Sequence, residues 1–151
     1  MQRDYSCLLN KIMPDPDRRR SMIAFVDIIW SAFHPTGVSW VGFYLHDAEG
    51  ELTLAACRNN PACSPIGLHG ACGQALTSRE PLIIRDVSEL GDHYIACDPR
   101  DRSELVIPLF DASGMCWGVI DLDSHIIGAF RKDDVQGLTR LLLRAGLTCE
   151  P

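Results

Sequence analysis

Met22, Val26, Ile29 and Phe33 recur every three to four residues, and Phe25 and Trp30 widen that stripe. The spacing predicts an amphipathic helix, with Asp15-Pro16 as N-cap and first-turn proline and His34-Pro35 as its stop. Residues 38–45 are rich in β-formers. The turn-like Asp47-Ala48-Glu49-Gly50 follows, and residues 51–57 read as the second strand of a hairpin. Two prolines and two asparagines mark residues 58–68 as a loop, before a short helix over 70–77 and a strand over 82–85. Residues 86–103 lack periodicity and are dense in Asp, Pro, Gly, His and Arg, which predicts a long, partly irregular loop of the kind that often carries function. A second hairpin spans residues 104–110 and 115–123 around Asp111-Ala112-Ser113-Gly114. Asp133 and Asp134 then open a last helix that runs through Arg144 and ends at Gly146. This order predicts an α+β fold, a mainly antiparallel central sheet flanked by helices, as one domain over residues 1–151.

Composition narrows the function. The chain is 46% hydrophobic and 23% charged, without the apolar run of roughly 20 residues that a membrane span requires. The opening Met1-Gln2-Arg3-Asp4-Tyr5 leads into no apolar signal region, so a cytoplasmic location is expected. A net charge of -6 argues against a nucleic-acid surface, and the lone basic run, Arg18-Arg19-Arg20, reads as a solvated helix start. Seven cysteines, an odd number without a secretory signal, point to reactive thiols or a metal site rather than a disulfide framework.

Cys97 lies inside the long loop, in His93-Tyr94-Ile95-Ala96-Cys97-Asp98, with His93, Arg100 and Arg102 as cations that can lower its pKa. Cys63 and Cys72 bracket a Pro- and Gly-containing stretch on the other flexible part of the chain. Three such thiols suit a nucleophile that becomes a sulfenic acid, is resolved as a disulfide and is reset by a thioredoxin-like partner. The competing assignment is zinc held by Cys63, Cys72, Cys97 and His69 or His93, although no CxxC pair is present. Cys57 and Cys116 fall in strands, where a cysteine behaves as a small buried hydrophobe, and Cys7 and Cys149 fall near frayed termini.

Two further groups share strand faces. Asp121 and Asp123 are two apart, with Trp117 and Val119 at the same parity. Carboxylates on an apolar strand are costly to bury unpaired, so together with Glu104 they favour a binding pocket over a wet strand end. Trp40 and Tyr44 flank Gly42 on one face, which leaves a slot between two rings. Either they pack the core or they form a cage for a small polarised sulfur group.

Trp40-Val41-Gly42-Phe43-Tyr44, Pro61-Ala62-Cys63, Ala71-Cys72-Gly73, the Cys97 segment, Ser103-Glu104-Leu105 and Gly118-Val119-Ile120-Asp121-Leu122-Asp123-Ser124 together resemble the free methionine-R-sulfoxide reductases, which are GAF-domain proteins. The resemblance implies Cys97 as catalytic cysteine, Cys63 as main resolving cysteine and Cys72 as an alternative one. It also implies an acidic pocket of Glu104, Asp121 and Asp123 and an aromatic wall of Trp40 and Tyr44. Asn59-Asn60 stands where the family has Gly-Lys, and His69 where it has arginine. The implied reaction is attack of the Cys97 thiolate on sulfoxide sulfur with Glu104 as acid, while Asp121 or Asp123 binds the substrate ammonium. It needs no metal or organic cofactor. The implied partners are free methionine-R-sulfoxide, a thioredoxin-like reductant and, as a homodimer, a second copy. The alternative is a non-catalytic GAF module that binds a small ligand or senses oxidants through its cysteines.

Overall fold

The computed structural model describes residues 2–93 and 97–150, with the side chains of Asp92 and His93 outside that description. Five strands form one antiparallel sheet, β1 (Val38–His46), β2 (Leu52–Arg58), β3 (Leu82–Ile84), β4 (Ser103–Phe110) and β5 (Cys116–Ser124), in the order β2-β1-β5-β4-β3. Helices α1 (Arg18–Phe33) and α3 (Lys132–Ala145) cover one face, and the short α2 (Ala71–Ser78) lies on the other. The expected α+β architecture is present. No helix among the described residues is long and apolar enough to cross a membrane.

Alternation along the strands divides the interior in two. Val41, Phe43, Leu105, Ile107, Ile120 and Leu122 point toward α1 and α3, where they meet Phe25, Ile29, Leu138 and Leu142. Tyr44, Val106 and Val119 point to the opposite face, toward Cys72, Ala75 and Leu76 of α2. Gly73 makes this second layer thin, because a Cβ there would fall on the backbone of Leu68. The predicted helix stripe is buried as the periodicity requires, but the α1 cap is Asp17, not Asp15. The Asp17 carboxylate accepts from Arg20 N at 3.2 Å, whereas Asp15 is drawn off by the Arg20 guanidinium and by Asp17 N.

The chain ends are anchored. A 3-10 helix, Ser6–Lys11, brings Tyr5, Leu8 and Ile12 into the core. Arg3 pairs with buried Asp134 of α3 at 3.1 Å, and the Tyr5 hydroxyl donates to the same carboxylate at 2.6 Å. Cys149 is not frayed, since its N–H donates to the Phe110 carbonyl at 2.9 Å. A bulge in β5 corrects one parity. Leu109 pairs with Gly118 and Phe110 with Cys116, which leaves Trp117 as the extra residue. Trp117 therefore packs against the α1 side, under the Arg18 guanidinium, while Val119 stays with the acids.

Candidate active site

The register of β1, β5 and β4 assembles the site. Trp40 and Glu104 both pair with Asp123, while Gly42 and Val106 both pair with Asp121. Directly opposed residues share a face, so the aromatic pair and the three acids line one side of the sheet. The Trp40 and Tyr44 rings lie 6.0 Å apart, tilted by 34°. The space over Gly42 is not an open slot. A Cβ there would fall inside the Trp40 ring, so the glycine lets the indole fold down across β1.

Residues 59–66 roof this face. Trp40 Nε1 donates to the Asn60 carbonyl at 2.8 Å, and the Tyr44 hydroxyl donates to the Cys63 carbonyl at 3.0 Å. Ser64 Oγ accepts from Leu54 N, and Ile66 forms an isolated bridge with Leu52. The aromatic residues thus hold the segment that carries Cys63. Across the opening, Cys63 and Cys97 are joined as a disulfide with Cα atoms 5.7 Å apart, and both residues are exposed. Tyr94, Ile95 and Ala96 of the Cys97 motif lie outside the described residues.

Beneath the disulfide is a cavity of about 30 Å³, lined by Trp40, Tyr44, Cys72, Cys97 and the acids. It opens beside a wider cleft of about 610 Å³, whose walls include Trp30, His34, Trp40, Asn60, Cys97 and His125. The stacked Trp30 and His34 rings, 4.3 Å apart, form one side of the cleft.

The cavity floor is acidic and buried. Glu104, Asp121 and Asp123 are 5%, 6% and 9% exposed. Asp121 is hydrogen-bonded to Glu104 and receives the Cys72 thiol, and its Oδ1 has no partner among the described residues. Burial and then the neighbouring carboxylates push all three acids well above the ordinary carboxylate range. For Glu104 the neighbour is Asp123, and the hydrogen bond with Asp121 opposes the rise only in part. The same burial and acids push the Cys72 thiol up.

Several expectations change. Cys72 is not on a flexible loop but in the first turn of α2, 4% exposed and hydrogen-bonded to Asp121. The set considered for zinc is not assembled, because Cys63 and Cys97 are bonded to each other and His69 is exposed. Arg100 is not a free cation beside Cys97. Its guanidinium grips Asp98 with two 3.0 Å hydrogen bonds, which hold that carboxyl down at about 2. Cys57 is half-buried rather than a core residue. Two residues of the site were not foreseen. Asp101 is 7% exposed, lines the inner cavity and adds its charge to Glu104, Asp121 and Asp123. His125 Nε2 stands 3.2 Å from Asp98 and 3.7 Å from Asp101. Donor atoms of Cys72, Glu104 and Asp121 lie within 4.8 Å of one another, as do those of Asp98, Asp101 and His125, so each set is compact enough to face one small cation.

Residues 25–148 match the model of the GAF domain family. GAF domain-containing protein A of Dictyostelium discoideum is 41% identical over 104 residues, 68% of this chain and 65% of the relative, so the match spans slightly less than two thirds of that protein. The free methionine-R-sulfoxide reductase of Saccharomyces cerevisiae is 34% identical over 127 residues, 81% of this chain and 70% of the relative. The chain belongs to the free methionine-R-sulfoxide reductase family of GAF-domain proteins. Among solved structures, the free methionine-R-sulfoxide reductase of Neisseria meningitidis in complex with its substrate has a TM-score of 0.82 at 31% identity, over 97% of this chain and 90% of that one. For this member of the free methionine-R-sulfoxide reductase family, strand register alone brings Trp40, Tyr44, Glu104, Asp121 and Asp123 together. The two partners in the disulfide come from loops on opposite sides of the opening.

Proposed function

We propose that this chain, acting as one domain, reduces free L-methionine-R-sulfoxide to methionine with Cys97 as nucleophile. The observation that supports this most strongly is a cysteine pair bridging the mouth of a pocket whose three carboxyls are held toward their neutral forms. A sulfoxide oxygen leaves poorly as an anion, so its reduction needs an acid that still carries a proton near neutral pH. Glu104 fills that role. The Cys97 thiolate attacks the sulfoxide sulfur, Glu104 protonates the oxygen, and transfer of oxygen leaves methionine and a Cys97 sulfenic acid. The Cys63 thiol then attacks Cys97 Sγ, expels water and closes the disulfide. A thioredoxin-like dithiol, oxidised in turn, restores both thiols, which suits a reducing compartment such as the cytoplasm.

Asp121 and Asp123 take the substrate ammonium. An arriving cation lowers their pKa values and makes an ion pair where the empty site holds neutral acids, so the buried acids favour a free amino acid over a residue within a chain. Trp40 and Tyr44 flank the methyl and sulfur groups. Cys72, buried and protonated, stays in reserve as the alternative resolving thiol. With the bridge in place only about 30 Å³ is left over the acids, so substrate reaches them once the bridge is reduced.

The test is a single turnover. Fully reduced protein mixed with excess R-sulfoxide and no reductant should release methionine with the loss of two alkylatable thiols per equivalent, the first disulfide to form joining Cys63 and Cys97. Release without loss of those thiols would contradict the disulfide route. Loss of thiols without methionine would favour an oxidant sensor.

A further inference from the structure

Cys57 has no role in the chemistry above, yet the fold sets it against the turn that leads into Cys63. It lies near the end of β2, opposite Gly42 in register, on the face that carries the pocket. Its thiol donates to the Asn60 carbonyl at 3.5 Å, the oxygen that also accepts from Trp40 Nε1. Burial pushes its pKa up, and the backbone N–H of Ala62, the residue before Cys63, donates to it and offsets part of that rise. The Tyr44 phenol, on the same sheet face, donates to the Cys63 carbonyl. Cys57 is thus held against the turn that presents Cys63, and it is half-buried rather than sealed as Cys72 is. Asn60 and Ala62, its two partners, also line the outer cleft where Cys97 lies.

We propose that Cys57 is a second resolving thiol, which exchanges with the Cys63–Cys97 disulfide and moves the oxidising equivalent to a Cys57–Cys63 bond in the 57–63 turn. The Cys57 thiolate attacks Cys63 Sγ. A Cys57–Cys63 bond forms as the Cys63–Cys97 bond breaks, and the electron pair leaves on Cys97 Sγ, which takes up a proton equivalent to the one Cys57 released. One disulfide replaces another, so no oxidant or reductant is consumed. Only five residues separate the new partners, and the entropic cost of closing a loop is smaller for a short one. The consequence is functional. Cys97 returns to its reduced form before any external dithiol arrives, and the reductant meets a disulfide within the 57–63 turn.

This inference rests on the disulfide step proposed above, and its test reads the disulfide directly. Reduced full-length protein is oxidised with one equivalent of diamide, which forms disulfides without any sulfoxide, and samples are quenched in acid, alkylated and digested over time. Trypsin cuts after Arg58, Arg79, Arg85 and Arg100, which places Cys57, Cys63 and Cys97 on separate peptides, and fragmentation separates Cys63 from Cys72. The expected result is a 21–58 to 59–79 cross-link through Cys63 that grows as the 59–79 to 86–100 cross-link falls, and reaches about a tenth of the protein or more. Complete alkylation of Cys57 at every time, with the Cys63–Cys97 cross-link constant, would overturn the proposal. Cys57→Ser should also slow steady-state turnover by a protein dithiol about threefold or more, and an undiminished rate would count equally against it. Methionine release is scored separately in wild type, so a failed reductase assay and a failed exchange are told apart.

Discussion

Glu104→Gln should make the protein more stable and far less active. Glutamine has nearly the same volume, keeps a hydrogen bond to Asp121 and never ionises. In wild type the folded state holds Glu104 protonated well beyond the pH at which the unfolded chain ionises, because burial and Asp123 disfavour the charge. The native state therefore binds more protons than the unfolded state, and stability falls as pH rises above the unfolded carboxyl value near 4 toward the folded one. Each proton contributes a slope of about 1.4 kcal/mol per pH unit, so between pH 5 and 7 the variant should gain up to about 3 kcal/mol on wild type. Against a total of roughly 5–15 kcal/mol this is large. The assay is urea unfolding at pH 5, 6 and 7 with a phosphine reductant present, so that the disulfide makes no contribution. In parallel, kcat should fall on the order of 10²–10⁴-fold, as for loss of a general acid. Identical pH slopes in the two proteins would refute the claim that Glu104 carries a proton in the folded state. An unchanged kcat would remove it from the reaction.

Two other substitutions separate the parts of the site. Cys63→Ser should release about one equivalent of methionine and stall with a Cys97 sulfenic acid that a dimedone reagent labels by mass; continued turnover would place resolution elsewhere, with Cys72 the first suspect. Gly42→Ala inserts a Cβ where the Trp40 ring lies, which should cost about 1–3 kcal/mol of stability by overpacking and, by displacing the indole, raise KM about tenfold with a smaller effect on kcat. An unchanged KM in a variant whose Trp40 emission shows the ring displaced would show that the indole does not contact substrate.

Much of this site is legible as strand parity. Asp121 and Asp123 share a face because they are two apart, and Trp40 and Tyr44 share one because they are four apart in a strand whose pairing with β5 is regular between them. Parity failed at Trp117, where a bulge inserts a residue that no local pattern announces. The same limit explains Asp101 and Arg100. Both lie in an aperiodic stretch, and only the folded loop turns Asp101 inward while Asp98 neutralises Arg100. Cys72 falls in the short helix read over 70–77, and its burial is what the sequence does not announce: Gly73, which lets that helix close on the Leu68 backbone, draws it in. The anchored N-terminus shows the opposite case. Tyr5, Leu8 and Ile12 are spaced three and four apart, a pattern too short to mark a helix until Arg3 and Tyr5 find Asp134, some 130 residues away.

The central claim is tested most directly by measuring free methionine released from separate R- and S-sulfoxide stocks, with dithiothreitol as reductant, by wild type and by Cys97→Ser. The account predicts release from the R form by wild type alone. Equal release by Cys97→Ser, or none from folded and reduced wild type, would contradict it.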